Sequence, residues 1–321
     1  MQRRQFLGLA AGAAGACALA TWQYGTAAAS AAKPMDVAAF RAARRHAELP
    51  QGRIAYVERG AGRAALFLHG LPLNGYQWRG AIDRLGAHRR CIAPDLMGLG
   101  YSEVPAQQAL GAGDQAAMIA ALLDKLGIAD VDLVASDSGG AVAQLFTANN
   151  PGRVRSLLLT NCDVEPDSPP PKVKPMIEQA RAGTLADSIA KWVSDKALAR
   201  ATLGAAVFRD PAAFADETID YYIAPLVSSP LRRKQFEAYH LALEPNPLAG
   251  IETALKRCTV PVRIVWGTDD DIFAQSDADY LARVFPNSQG VRRLPGAKLF
   301  FPEEFPDVIA EEARVLWRIR A

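Results

Sequence analysis

The stretch DLVASDSGG, residues 132–140, is the most informative segment of this 321-residue chain. It begins as a mostly apolar run of strand length and ends in a pair of glycines. A strand that breaks into small residues predicts a sharp strand-to-helix turn, because strand and helix approach closely there and push one side chain outward. Asp137 and Ser138 both lie in this turn, so either one is a candidate nucleophile.

Chemistry favours Asp137 over Ser138. The size of the neighbouring residues does not distinguish them, since both have small residues at the required spacings on either side. A serine hydroxyl is inert until an adjacent base takes its proton, whereas an exposed aspartate is ionised near neutral pH. Asp137 is therefore the predicted nucleophile, and an esterase built on Ser138 is an alternative.

Strand-like and helix-like segments alternate on both sides of this turn. The segment DQAAMIAALLDKLGI (114–128) has apolar residues at helical spacing, with Gly127 placed to end the helix, and an alanine-rich helix follows from about Gly140. Such alternation predicts a mostly parallel sheet with helices on both faces. The predicted strands are GRIAYVERG (52–60), AALFLHG (64–70), CIAPDL (91–96), VDLVAS (131–136), VRSLLLTN (154–161), VPVRIVWG (260–267) and GVRRLP (290–295).

The alternation stops after Asp163 and resumes after about Gly250. The intervening sequence has no convincing apolar strand and is rich in Ala, Arg and Asp, which predicts a helical cap at 164–250. The cap then separates a first core segment, 32–163, from a last one, 251–321. Ligands of open parallel sheets bind beyond the carboxyl ends of the strands, so this cap would cover the site and exclude water.

Four motifs together resemble the α/β-hydrolase superfamily. Laid against its elbow pattern, residues 131–140 place Asp137 at the nucleophile without a gap. The sequence HGLP followed by Trp78, the Asp-centred turn and the inserted cap resemble the haloalkane dehalogenase and epoxide hydrolase branch. The resemblance implies an α/β-hydrolase fold. The motifs are LFLHGLPLNGYQW (66–78), PDLMGLGYSE (94–103), VDLVASDSGGAVAQ (131–144) and VWGTDDDIFA (265–274).

The resemblance also implies a set of catalytic residues. Asp270 matches the triad acid, and the backbone N–H groups of Leu71 and Ser138 match the oxyanion hole. In the family an aspartate nucleophile first forms an alkyl ester, and a histidine then activates the water that hydrolyses it. Here Leu299, in PGAKLFFPEE (295–304), stands at the histidine position. We therefore expect a substitute base, a reaction that needs no such histidine, or retained binding without catalysis.

Five further residues are candidates for substrate binding or for a substitute acid or base. The position of Asn161 carries an alternative triad acid in some relatives, and His240 is the histidine expected in the cap. The resemblance suggests cap tyrosines as acids for epoxide opening, but adjacent tyrosines on a helix diverge by about 100 degrees, so at most one faces the site and packing explains them equally well. These candidates are Trp78, Asn161, Tyr221, Tyr222 and His240.

The leading hypothesis is an Asp137-centred hydrolase acting on a small, largely apolar substrate. Two departures argue against a standard haloalkane dehalogenase: Ser138 and Leu71 stand where such enzymes resemble one another in carrying a halide-binding Trp and often an Asn. One alternative is a lyase or isomerase that uses Asp137 as a general base. Another is a periplasmic binding protein without catalysis, because a fold does not determine a function.

The first 31 residues are expected to be a signal peptide. The start MQRRQFLGLAAGAAGACALA (1–20) carries the pair Arg3-Arg4 before a weakly apolar run and resembles a twin-arginine signal. The expected location is periplasmic or secreted, with the twin-arginine machinery as a partner in transit and no stable membrane span afterwards. A lipid anchor at Cys17 is the alternative.

The composition of the chain indicates which kinds of binding partner to expect. The chain has 36 Lys and Arg against 34 Asp and Glu, and this net charge of +2 gives no reason to expect nucleic acid. A small molecule is the expected ligand. Cys91, Cys162 and Cys258 adjoin apolar runs and predict buried thiols rather than disulfides, and no Cys or His spacing predicts a metal site or a cofactor.

Overall fold

The computed structural model describes residues 35–319, which form one eight-stranded sheet covered by helices on both faces. Every strand predicted from the sequence is present. The strands are β1 Arg44–Leu49, β2 Gly52–Arg59, β3 Ala64–Leu68, β4 Arg90–Pro94, β5 Val131–Asp137, β6 Val154–Cys162, β7 Val262–Gly267 and β8 Ser288–Leu294.

The sheet order is β1-β2-β4-β3-β5-β6-β7-β8. Pairing is antiparallel from β1 to β4 along this order and parallel from β4 to β8. All residues of the central strands β3 and β5 are buried, because helices cover both faces of the sheet there. The expected fold class, a mostly parallel sheet with helices on both faces and an inserted helical cap, is confirmed.

The helices fill the connections between strands. Gly127 has φ +66° immediately after α3, so it ends this helix as the sequence predicts. The helices are α1 Val37–Ala43, α2 Arg79–Leu85, α3 Ala112–Lys125, α4 Ser138–Asn149, α5 Lys174–Arg181, α6 Leu185–Ser194, α7 Lys196–Ala199, α8 Ala205–Val207, α9 Asp216–Val227, α10 Pro230–Leu241, α11 Glu252–Leu255, α12 Gln275–Val284, α13 Phe301–Glu304 and α14 Pro306–Leu316.

The structure differs from the sequence prediction at β1, a strand that was not predicted, and at the start of α4. Strand β1 forms from the segment RRHAEL, which reads as a polar lead-in. An edge strand that pairs on one side and faces water needs few apolar residues, and only Ala47 of β1 is buried. Helix α4 begins at Ser138, two residues earlier than expected, because the turn itself supplies its first residues.

The chain between β6 and β7 contains helices α5 to α11 and no strand. Helices α5 and α6 pack against α10, and α6 also packs against α9. This helical segment follows β6 directly, so it lies over the carboxyl ends of the parallel strands. Within residues 35–319, no helix is both long and apolar enough to cross a membrane. The expected signal peptide lies outside the described residues.

Candidate active site

Asp137 lies at a sharp turn between β5 and α4. Its φ of +55° is in the left-handed region, which residues other than glycine seldom adopt. Ser138 already has helical geometry as the first residue of α4. The strained position of the turn is thus Asp137 rather than Ser138.

Three glycines make this turn sterically feasible. A Cβ on Gly139 would lie 2.4 Å from the His69 carbonyl oxygen, and one on Gly70 would lie 2.1 Å from Asp137 Cβ. A Cβ on Gly140 would lie 2.3 Å from the Cβ of Cys162 in β6. Real Cβ atoms do not approach other heavy atoms this closely. The small residues in the sequence therefore reflect close packing of the turn against β3 and β6.

The Asp137 carboxylate is held by two backbone N–H groups. Leu71 N–H donates to Oδ1 at 3.3 Å, and Ser138 N–H donates to the same oxygen. Asp137 Oδ2 accepts no hydrogen bond from any described residue. One carboxylate oxygen thus lies between two donors from different segments, and the other is available for reaction.

Burial controls the charge of Asp137. Desolvation raises the pKa of this carboxyl to about 7, against 3.8 for a free aspartic acid. The two backbone N–H donors lower the pKa, whereas the charges of Asp163 and Asp270 raise it. The side chain therefore titrates near neutral pH.

Asp137 opens into a partly enclosed cavity between the sheet edge and the cap. The space open to the centre of a water molecule measures about 80 Å³. Its described lining includes the polar side chains of Asp137, Ser138, Asp163 and His240, and no lysine or arginine. Most other lining residues are apolar, among them Met176, Leu185, Ile189, Trp192, Phe236 and Phe300. This cavity suits a small, uncharged, largely apolar ligand.

Asp270 follows β7, and Leu299 lines the cavity. Asn161 Nδ2 donates to Asp270 Oδ2 at 2.6 Å, and the Ile272 N–H donates to Oδ1 at 2.9 Å. Burial raises the pKa of Asp270 to about 6. Leu299 is 2% exposed and presents an apolar side chain where the resemblance places a histidine. Asp270 and Asn161 therefore form a buried pair without an imidazole partner in the described structure.

His240 lies in α10 of the cap and lines the cavity. Its Nδ1 donates to the Phe236 carbonyl oxygen at 2.9 Å, because a carbonyl can only accept. Nε2 is then the acceptor of the neutral ring and has no hydrogen-bonding partner among the described residues. Burial lowers the pKa of His240 to about 4, so the ring is neutral at pH 7.

Asp163 is a residue that the sequence leaves open, either as an ionised group close to the site or as the start of the loop after β6. It follows β6 directly, lines the cavity and is 4% exposed. Ser168 Oγ donates to Asp163 Oδ1 at 2.7 Å. Burial raises the pKa of Asp163 to about 6, against the opposing effect of this hydrogen bond. Its position at the carboxyl end of a strand was the one available signal in the sequence.

Tyr239 is a second neighbour of the turn that sequence reasoning missed. Its Oη lies 3.3 Å from Ser138 Oγ, and burial raises the pKa of the phenol. Among the described residues, the Ser138 hydroxyl thus hydrogen-bonds to a tyrosine, which supplies no base for a serine nucleophile. The contact between Ser138 and Tyr239 could not be predicted from the sequence, because it joins residues far apart in the chain.

The described cavity lining lacks Asp270 and four of the five further candidates, Trp78, Asn161, Tyr221 and Tyr222. Trp78 is fully buried against Phe67. Tyr221 packs against Tyr101, and the Tyr222 hydroxyl donates to Glu303 Oε2 at 2.7 Å. These contacts give Trp78, Tyr221 and Tyr222 roles in packing. This placement matches the packing alternative that helix geometry left open for the two tyrosines.

His69 connects two loops beneath the turn. Its Nδ1 donates to the Gly70 carbonyl oxygen at 2.9 Å, and its Nε2 accepts from the Leu96 N–H at 2.9 Å. It fixes the segment that presents the Leu71 N–H to Asp137. Residues 35–319 contain no cluster of three or more His, Cys, Asp or Glu arranged to hold a metal ion.

The parallel sheet, the strained turn after β5 and the helical cap define a hydrolase of the α/β fold. A model of the α/β-hydrolase fold family matches residues 65–305, and the chain belongs to this family. Within it, the chain is similar to the haloalkane dehalogenase and epoxide hydrolase branch, as the motifs in the sequence indicate.

Individual relatives point to the same branch. The chain is 29% identical to a haloalkane dehalogenase of Mesorhizobium japonicum over 87% of this chain and 93% of the relative. It is 28% identical to haloalkane dehalogenase 2 of Mycobacterium tuberculosis over 81% and 90%. Among solved structures, the epoxide hydrolase CorEH matches with a TM-score of 0.73 at 25% identity, over 86% of this chain and 98% of the other.

Proposed function

We propose that this protein is a hydrolase that uses Asp137 as a nucleophile on carbon in a small, uncharged, largely apolar substrate. One observation carries the proposal: the strained turn presents the Asp137 carboxylate to an apolar cavity with Oδ1 between two N–H donors and Oδ2 unpartnered. An ionised carboxylate in this arrangement is ready to attack without a partner base.

The first step is a displacement at carbon. Asp137 Oδ2 forms a bond to a carbon of the substrate, and the bond to the leaving group breaks with its electron pair. The N–H groups of Leu71 and Ser138 stay on Oδ1, which becomes the carbonyl oxygen of the ester and later bears charge when water attacks. The apolar walls exclude bulk water from the ester.

The substrate class follows from the cavity and its relatives. Alkyl halides and epoxides are small and uncharged and carry an electrophilic carbon, and the relatives that this chain resembles are named for acting on them. Ser138 and Leu71 lack the side-chain N–H donors that the resemblance places beside a leaving halide. Tyr221 and Tyr222, which the resemblance suggests as acids for epoxide opening, are in turn absent from the described cavity lining, so the proposal covers epoxides and haloalkanes alike.

Intact-mass measurement tests the proposal. Purified protein is exposed to 1,2-epoxybutane and to 1-bromobutane, and mass and product are followed together, with Asp137→Ala as the matched variant. We expect a covalent adduct on Asp137, transient or persistent, that the variant lacks. Product formation by Asp137→Ala at the parent rate would contradict a nucleophilic role.

The pKa of Asp137 supports one other candidate, a lyase or isomerase in which this carboxylate abstracts a proton. A base with a pKa of about 7 is well matched to proton transfer near neutral pH. The same measurement separates the two candidates. Turnover that depends on Asp137, without an adduct in a single-turnover quench, would indicate proton abstraction.

Export is a separate part of the proposal. The pair Arg3-Arg4 and the apolar run after it support passage through the twin-arginine machinery to the periplasm. Replacing both arginines by lysine should leave the precursor in the cytoplasm, as fractionation would show. If Cys17→Ser alone releases the protein from membranes, it is a lipoprotein instead.

A further inference from the structure

Hydrolysis of an ester on Asp137 needs a base, and Leu299 stands where the resemblance places the histidine. We infer that the Asp163 carboxylate is the general base that activates water for this step. The inference rests on the proposed function, because it requires an ester on Asp137.

Strand pairing places Asp163 next to the nucleophile. Strands β5 and β6 are parallel, and Cys162 is the residue in register with Asp137. Asp163 follows Cys162 directly, so the two carboxyl groups leave the same edge of the sheet from neighbouring strands. Both side chains line the same cavity.

Two hydrogen bonds hold Asp163 in place. Ser168 Oγ donates to Oδ1 at 2.7 Å, and Gln144 Nε2 donates to the Asp163 backbone carbonyl oxygen at 2.8 Å. Oδ2 accepts no hydrogen bond from another described residue. The carboxylate is thus oriented through one oxygen, which leaves the other to bind a water molecule on the cavity side.

The surroundings make Asp163 a stronger base than an exposed aspartate. No lysine or arginine is among the described residues that line the cavity, and burial raises the pKa of Asp163 to about 6. A group with this pKa is mostly ionised at pH 7 and accepts a proton more readily than a free carboxylate does. Its charge also raises the pKa of Asp137 and Tyr239, so its field reaches the turn.

The other buried groups suit this role less well. Both oxygens of Asp270 already accept hydrogen bonds, and Asp270 is absent from the described cavity lining. His240 lines the cavity with a free Nε2, but burial lowers its pKa to about 4 and makes it the weaker base. Asp163 therefore combines access to the cavity, proximity to the nucleophile and base strength.

The step balances as follows. Asp163 takes one proton from water while the water oxygen bonds to the ester carbonyl carbon of Asp137. The electron pair of the carbonyl moves to Oδ1, which the N–H groups of Leu71 and Ser138 stabilise. When the intermediate collapses, the bond between the carbonyl carbon and Oδ2 breaks. The departing alkoxide takes the proton from Asp163 and leaves as the alcohol. Asp137 is left as the carboxylic acid, and it releases the second proton of the water to solvent to restore the carboxylate.

The experiment compares Asp163→Asn with His240→Phe and with the parent, all exposed to 1,2-epoxybutane. Asparagine keeps the shape of the side chain and can still accept from Ser168, so we expect Asp163→Asn to fold, which circular dichroism checks. Asp277→Asn is the matched control, because Asp277 is also buried with a pKa near 6 but is absent from the described cavity lining.

In Asp163→Asn we expect a stoichiometric ester on Asp137 and steady-state turnover at least 100-fold lower, with an unchanged rate of ester formation. Asp277→Asn should turn over within a few fold of the parent, and His240→Phe should accumulate no ester. Accumulation of ester in His240→Phe but not in Asp163→Asn would overturn the inference and assign the base to His240. If Asp163→Asn hydrolyses its ester at the parent rate, the inference fails while the proposed function stands. If a single-turnover quench traps no ester on Asp137 in the parent or in any variant, the proposed function fails, and this inference fails with it.

Discussion

Asp137 is buried, ionisable and without a neighbouring cation, which predicts an unusual dependence of stability on pH. Its pKa is about 7 in the folded protein and near 3.8 when free. Between these values the folded protein holds a proton that the unfolded chain releases, so the free energy of unfolding falls as pH rises. The full loss for this group is roughly 4 kcal/mol, reached above about pH 7.

Asp137→Asn should therefore be more stable than the parent at pH 8. The difference should shrink towards pH 4, where the parent carboxyl is neutral as well. Thermal unfolding monitored from pH 4 to 8 measures this. Asp269→Asn, at an exposed aspartate near the site, is the control and should follow the parent. A melting temperature for Asp137→Asn below that of the parent at pH 8 would contradict the burial argument.

Leu299 permits a gain-of-function prediction. Its side chain lines the cavity, and Asp270 lies in the loop after β7 with Asn161 as its partner. A histidine at position 299 would place an imidazole where the family has one, with Asp270 to orient it. In the Asp163→Asn background, Leu299→His should restore ester hydrolysis by at least about tenfold, or roughly 1.4 kcal/mol of barrier. Leu299→Gln, which lacks a base, should leave the ester in place.

At the scale of elements, the turn after β5 could be predicted because its constraints are local. Small residues and one reactive side chain at fixed spacings identify it, and the strained φ falls on Asp137 as expected. Strand β1 could not be predicted, because pairing with β2 outweighs its polar sequence. The contact of Tyr239 with Ser138 depends on how the cap folds back over the sheet, which no short pattern encodes.

Helix α4 lies close to β3, so we expect an alanine at Gly139 to lower the free energy of unfolding, whereas an alanine at a helix glycine with free space around it should not. Gly139→Ala places a Cβ 2.4 Å from the His69 carbonyl oxygen and 2.8 Å from that of Leu68, and these backbone atoms cannot rotate away. We expect a loss of about 1–3 kcal/mol in the free energy of unfolding. Urea denaturation measures it.

Gly113→Ala is the matched control for this substitution. Gly113 lies in the first turn of α3, and its added Cβ would meet nothing within 4 Å. Alanine loses less backbone entropy in a helix, so stability should rise by up to about 1 kcal/mol. Equal destabilisation by both substitutions would show that helix context, rather than contact with β3, determines the effect.

Across the whole molecule, the ion pairs lie outside the cavity, whereas the candidate reactive carboxyl groups line it. The chain carries a net charge of +2, and its charged side chains form many ion pairs outside the cavity. The cavity between sheet and cap has carboxyl groups and apolar walls and, within the described lining, no lysine or arginine. An anionic ligand there would lose its hydration and face the charges of Asp137 and Asp163.

The described lining, with carboxyl groups and no lysine or arginine, predicts that the protein prefers uncharged substrates to anionic ones. We expect kcat/KM for 1-bromobutane to exceed that for 4-bromobutanoate at least about 100-fold, which corresponds to roughly 2.7 kcal/mol of barrier. Because an uncharged substrate is not steered by a field, its kcat/KM should not change with ionic strength. Steady-state kinetics at low and high salt measure both quantities. A preference for 4-bromobutanoate would mean that a cation reaches the cavity from outside the described lining, and it would remove the apolar substrate class from the proposed function.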